Sequence, residues 1–278
     1  MLWLVAVIPM VAGVAGTSAY LNRRGGWVPN TLHQWDVATL GAAYSTAIPP
    51  LAAFSIALAV FLANVSRTAN PRAFENVMAL FLMAFIILIG TALMFATTRS
   101  AFYGAEENEE VVLSRRTMYV LANLCFYLGL NMSWLGLRPL LQAIELYNLA
   151  TVFSWLLLFS VMAGAMRQSA WLQCLFGASP IACVSIGLLP VIAVCFYWFG
   201  LVSLVPDLWP QNSTLTFAVF VFIVACPPFL VETNVIRFAG NERCITLLSR
   251  VGSRLMPAYQ GVAVTAMLLL WLSLVVPL

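Results

Sequence analysis

The chain has no lysine, and all 13 of its cationic residues are arginine. Without a lysine amine no Schiff base can form, so a retinal protein is excluded. Histidine is nearly missing too. The single His33 cannot furnish a bis-histidine haem or a four-histidine metal site. Cysteines are present but unpaired in pattern. Cys125, Cys174, Cys183, Cys195, Cys226 and Cys244 show no C-x-x-C spacing and lie mostly in apolar runs, where a thiol behaves as a small hydrophobe. No G-x-S-x-G, H-E-x-x-H, Walker loop or G-x-G-x-x-G occurs, which leaves hydrolase, protease and nucleotide-binding readings without support. A net charge of +3 is too small to suggest a nucleic-acid partner.

Charge of either sign is scarce. With 8% charged residues, 63% hydrophobic residues and a mean hydropathy of +0.96, a water-soluble fold would have no polar surface to present. The fold class expected is therefore an all-α integral membrane protein, a single transmembrane domain over residues 1–278. A span needs ~20 mainly apolar residues. Eight runs qualify: 1–21, 46–65, 75–97, 117–137, 144–165, 180–204, 213–236 and 257–277. Met1 is followed by apolar residues with no basic stretch before them, so the first run reads as a retained helix.

Arginines in the loops set the orientation. The loops after runs one, three, five and seven hold Arg23, Arg24, Arg99, Arg115, Arg116, Arg167, Arg237, Arg243, Arg250 and Arg254, whereas the remaining loops hold only Arg67, Arg72 and Arg138. The odd loops are assigned to the cytoplasmic or matrix side.

The stretch from Leu21 to Leu40 combines a paired charge, a Gly-Gly and Pro-Asn turn and a segment with its own acid, Asp36. Between Asn30 and Ala43, Leu32, Trp35, Val37 and Leu40 alternate with His33, Gln34, Asp36 and Thr39. The pattern suits a short amphipathic helix lying at the interface after the first span, with an ordinary loop as the alternative. The block Glu106-Glu107-Asn108-Glu109-Glu110 reads either as solvated surface or as a collector of protons or a dock for a basic partner.

A charge inside a bilayer costs ~2.5 to 3.5 kcal/mol, so acids at the edges of apolar runs are candidates for function. Glu145, three residues from both Gln142 and Asn148, and Glu232, ending the seventh run, qualify; both also fit snorkelling interfacial residues. Asn123, Asn131 and Asn234 would extend a polar path or bond across helices. Pro227-Pro228 inside the seventh run should break or kink that helix.

The residues from Arg24 to Leu40 resemble the first matrix-side loop of NADH dehydrogenase subunit 1, the quinone-site membrane subunit of respiratory complex I. Arg24, Gly25, Gly26, Pro29, Asn30, Leu32, Gln34, Asp36 and Leu40 match that family's pattern in order. Asn76 to Ala84, with Ser100-Ala-Phe-Tyr-Gly104, is similar to its third helix and following loop, and Arg250-Val-Gly-Ser-Arg-Leu-Met256 resembles, in shortened form, the family's ending before its last helix. The family's acidic loop after the fifth helix is not present. Ala163-Gly-Ala-Met-Arg167 stands there, and a literal Glu232-Thr-Asn234 stands after run seven.

The resemblance implies a subunit that walls the quinone tunnel and couples quinone reduction to proton translocation. Arg23, Arg24, Gln34 and Asp36 would face ubiquinone, and Glu145, Glu232, Glu106 and Glu107 would carry protons. It implies membrane and peripheral-arm partner subunits of a large respiratory complex, with the flavin and iron–sulfur clusters in those partners. It further implies a place in the mitochondrial inner membrane or a bacterial plasma membrane. Two rivals stand beside it. Val235-Ile-Arg-Phe-Ala-Gly-Asn241 with Gln260 resembles the essential-arginine helix of the proton-channel subunit a of ATP synthase, and a non-enzymatic pore or scaffold has the same composition.

Overall fold

The computed structural model describes residues 37–65, 71–100, 109–143, 145–176, 180–198, 213–237 and 242–275. These residues form helices α1 (Val37–Val65), α2 (Pro71–Ser100), α3 (Glu109–Ala143), α4 (Tyr147–Phe176), α5 (Pro180–Trp198), α6 (Ser213–Arg237) and α7 (Glu242–Val275), with no strand among them. Six helices are long and apolar enough to cross a bilayer, while α5 offers only the shorter apolar segment Val184–Ala193. Length and hydropathy together make this a multi-pass membrane protein. The first expected span, residues 1–21, lies outside the described residues.

Helix α3 is the hub, packing against α1, α2, α4, α6 and α7. Its apolar stretch is 72% buried, against 28% for α1 and for α6, which face the lipid. Lipid tails are as apolar as leucine, so what gathers these helices is close packing and interhelical hydrogen bonding. Small residues permit the approach. A Cβ added at Gly129 of α3 would lie 2.9 Å from Leu88 Cγ of α2, and one at Gly41 of α1 would lie 3.0 Å from the Phe95 carbonyl oxygen. Polar ties then fix the register. Ser55 and Ser133 hydroxyls meet at 2.7 Å between α1 and α3, and the Trp271 indole donates to the Ser154 carbonyl at 3.0 Å between α7 and α4. Tyr44, Phe95 and Tyr119 form an aromatic cluster joining α1, α2 and α3, with Tyr44 stacked on Phe95 at 5.0 Å.

Gly41, early in α1, meets Phe95, late in α2, and Gln168, late in α4, meets Gln260 of α7. Helices successive in the chain therefore alternate in direction. One end of the bundle gathers the helix positions of Arg99, Arg115, Arg116, Arg167, Arg237, Arg243, Arg250 and Arg254, and the other those of Arg72 and Arg138.

Three expectations need correction. The amphipathic segment Asn30–Ala43 is described only from Val37, and from there it is the opening of α1, continuous with the span. Helices α1, α3 and α7 start 8 to 15 residues before the apolar runs that mark them. Hydropathy locates the lipid-crossing part of a helix, not its hydrogen-bonded ends. Of the break or kink expected at Pro227-Pro228, the break does not occur: α6 runs through both prolines.

Candidate functional site

Helices α3, α4 and α7 meet around a cavity of about 30 Å³, walled by Tyr127, Asn131, Gly164, Gln168, Val264 and Met267 among others. Gly164 keeps the space open, because a Cβ there would come 3.3 Å from the Tyr127 ring. Two amides face the cavity and a third stands beside it. Asn131 is 3% exposed, Gln168 2% and Gln260 0%. Gln260 Nε2 donates to Gln168 Oε1 at 3.0 Å, and Asn131 Nδ2 donates to the Tyr127 carbonyl at 2.8 Å. Asn131 Oδ1, Gln168 Nε2 and Gln260 Oε1 have no protein partner. A buried polar atom left so costs about 1–3 kcal/mol.

Sequence reasoning picked out Asn131 and Gln260 separately and passed over Gln168, which lies beyond the end of the fifth apolar run. A signal was there to be used. Val161, Gly164, Ala165 and Gln168 repeat at i, i+3, i+4 and i+7, the stripe of a helix face that packs inward. Asn123 is also buried, with Nδ2 unpartnered. Eight residues of helix, about 12 Å, separate it from Asn131.

A second feature belongs to α6. A proline has no N–H, so Pro228 leaves the Val224 carbonyl without its helical donor. The Tyr259 hydroxyl of α7 donates to that carbonyl, and the Cys125 thiol of α3 lies 3.9 Å from the next one, Ala225. The carbonyl that Pro228 frees is thereby satisfied from α7.

A third feature is an apolar groove of about 450 Å³ between α5, α6 and α7, walled by Ile186, Leu189, Phe220, Gly261 and Val262 with Ser185 and Thr265. Both hydroxyls are bonded to their own helices, Ser185 to the Ile181 carbonyl and Thr265 to the Gly261 carbonyl at 2.8 Å each. The groove wall is therefore apolar, and it opens on the perimeter, where Val262 is 47% exposed.

Of the expected site residues, only Glu145 and Glu232 have described positions. Arg23, Arg24, Gln34, Asp36, Glu106 and Glu107 lie outside the described residues. Glu232 is in the last turns of α6, toward the arginine-rich end. Glu145 is at the opposite end, in the turn between α3 and α4. Rise along α6 from Thr214, at Glu145's end of the bundle, to Glu232 is about 27 Å, so the two acids form no local pair. Arg237 and Gln260 are apart as well. Gln260 follows Tyr259, which meets α6 at Val224, and the 13 residues from Val224 to Arg237 rise about 20 Å.

Glu145 has a structural task instead. Its N–H bonds the Gln142 carbonyl at 3.0 Å, the Leu146 N–H bonds the Leu141 carbonyl at 2.9 Å, and its φ is 63°. That pair of bonds is the Schellman ending of a helix, with Glu145 at the left-handed position usually filled by glycine. Gln142 thus closes α3 and Asn148 opens α4, so the three do not share one helical face. Glu145→Gly removes the left-handed strain, and an increase in stability of about 1 kcal/mol is expected. Thermal unfolding in detergent reads it, and a loss of stability would show that the carboxylate itself is needed there.

Among the described residues no group of three or more His, Cys, Asp and Glu is placed to hold a metal ion. What the fold defines is a class: an all-helical, multi-pass membrane bundle with a neutral polar core. Compared with known protein families, curated proteins and solved structures, the chain matches none.

Proposed function

We propose that the protein is a non-catalytic multi-pass subunit of a larger membrane assembly, and that this assembly is a respiratory NADH:ubiquinone oxidoreductase. The observation that carries the first half is the character of the core. Every buried polar side chain among the described residues is neutral, from Ser55 and Thr91 through Asn131, Gln168 and Gln260 to Ser273. The two acids whose side chains are described, Glu75 and Glu145, are exposed. A core tied by serine, asparagine and glutamine holds helices in register without offering a titrating relay.

The second half rests on the resemblance of residues 24–40 and 76–104 to the quinone-site subunit. On that reading Arg23, Arg24, Gln34 and Asp36 face the quinone, the α5–α6–α7 groove accommodates part of its isoprenoid tail, and Glu106, Glu107 and Glu232 carry the coupling role. The groove would equally take a lipid acyl chain. A scaffold outside respiration is the second reading, and the same neutral core favours it. The subunit a rival loses its footing, since Arg237 and Gln260 are about 20 Å apart in helix rise.

Gentle detergent extraction, native separation of complexes and mass spectrometry of the co-migrating chains test the proposal. Co-migration with a flavin-containing NADH dehydrogenase is the expected result. Migration alone overturns both halves, and migration with non-respiratory partners overturns the second half and keeps the scaffold.

A further inference from the structure

We infer that the α5–α6–α7 groove holds one acyl chain of an anionic phospholipid whose phosphate is met by Arg250 and Arg254 of α7. The register of α7 carries the inference. Ala258, Gly261 and Thr265 line the groove, and they follow Arg254 by 4, 7 and 11 residues along a helix that is continuous through Pro257. At about 100° per residue, those spacings return to within about 40° of one direction. Arg250 stands 11 residues before Gly261 and belongs to the same stripe. The face of α7 that turns toward the groove is thus small and uncharged along the span, and arginine beyond it.

Depth agrees with charge. Arg254 is the last charged residue of the chain, and the apolar span Leu255–Leu274 starts at its neighbour. Headgroups occupy roughly 5–7 Å on each side of the hydrocarbon. Arg250, about 7 Å of helix beyond Leu255, is within reach of that layer, whereas Arg243, about 18 Å beyond, is outside it. No acid offsets the pair on the groove side. Helix α5 contains no charged residue. The one acid of α6, Glu232, lies 12 residues from the groove residue Phe220 and about 120° around the helix from it. The one acid of α7, Glu242, is the same 12 residues and about 120° from Arg254.

Inside the span the groove suits a hydrocarbon chain. It measures about 450 Å³, both its hydroxyls are bonded to their own helices, and it opens where Val262 is exposed to lipid. A quinone tail would fit the hydrocarbon but makes no use of the cations, while a phospholipid of net negative charge uses both. The inference goes beyond the respiratory reading and does not rest on it.

Native mass spectrometry of the full-length protein tests the site, with release from micelles holding equal amounts of phosphatidylglycerol and phosphatidylcholine of the same acyl chains. One phosphatidylglycerol is expected to stay bound in preference to phosphatidylcholine. Arg250→Gln with Arg254→Gln is expected to lower its affinity roughly 30-fold, the equivalent of about 1 kcal/mol per arginine. Gly261→Leu fills the groove from its wall, where an added Cβ meets Ile186 Cγ1 at an ordinary 3.9 Å, and is expected to expel the lipid with both arginines intact. Equal retention of the two phospholipids overturns the site. So does full phosphatidylglycerol binding by Gly261→Leu, which would reduce the arginines to a surface attraction. Stoichiometric displacement of phosphatidylglycerol by ubiquinone also overturns it and gives the groove to the quinone tail. None of these outcomes bears on whether the chain co-migrates with an NADH dehydrogenase, so the two readings fail separately.

Discussion

Trp271→Ala is expected to destabilise the bundle by about 3 kcal/mol, at the lower edge of the ~3–5 kcal/mol range for deleting a large buried aromatic. Trp271 is fully buried, its indole N–H is bonded to the Ser154 carbonyl at 3.0 Å, and its ring meets Trp155 edge to face at 5.8 Å. The lower edge is chosen for a physical reason. In a soluble core such a deletion forfeits transfer from water, but here the partly unfolded helix keeps its side chain in lipid, so chiefly the dispersion contacts and the cavity count. Trp271→Phe separates the parts: it keeps most of the ring and drops the indole bond, for an expected loss of about 0.6 kcal/mol, the average of interhelical bonds measured in lipid. Stability against denaturing detergent, followed by helical signal, reads both. Equal losses in the two variants would mean that the hydrogen bond, not the packing, holds α7 to α4.

Helix positions were largely legible in the sequence because apolar runs of about 20 residues have one common use. Runs two to eight each fall within or largely overlap a described helix. The helix ends were not legible. Thr39 at the start of α1, Glu109 to Arg116 in α3 and Arg243 to Arg254 in α7 lower hydropathy without preventing the helix, because backbone bonding continues past the lipid boundary. The helix-ending conformation of Glu145 was hidden for a related reason. Its neighbours are apolar and polar in the proportions of a helix start, and the left-handed φ that ends α3 is ordinarily announced by glycine.

The candidate site was legible only in pieces. Gln168 and Gln260 are 92 residues apart in the chain, and their meeting depends on which helix neighbours α4, an order that hydropathy does not contain. The charged residues of the Arg23 to Asp36 stretch, which drew most of the functional reading, belong to the part of the chain outside the described helices.

How α6 bears two consecutive prolines leads to the second large effect. Tyr259→Phe is expected to cost up to about 3 kcal/mol, because it strips the hydroxyl donor from a Val224 carbonyl that Pro228 leaves without its i+4 N–H, where no water can replace it. If the tyrosine is needed on account of the proline, the two residues must be coupled. Pro228→Ala restores an N–H to the helix, and in that background the Val224 carbonyl no longer depends on α7. Tyr259→Phe should then cost little more than a lost packing contact. A double-mutant cycle is expected to give a coupling of about 1–2 kcal/mol, inside the ~0.5–3 kcal/mol seen for residues in direct contact. The same Tyr259→Phe loss with and without Pro228 would sink the explanation. Tyr259 would then be a packing residue, and some other group would have to account for a proline pair in the middle of a membrane helix.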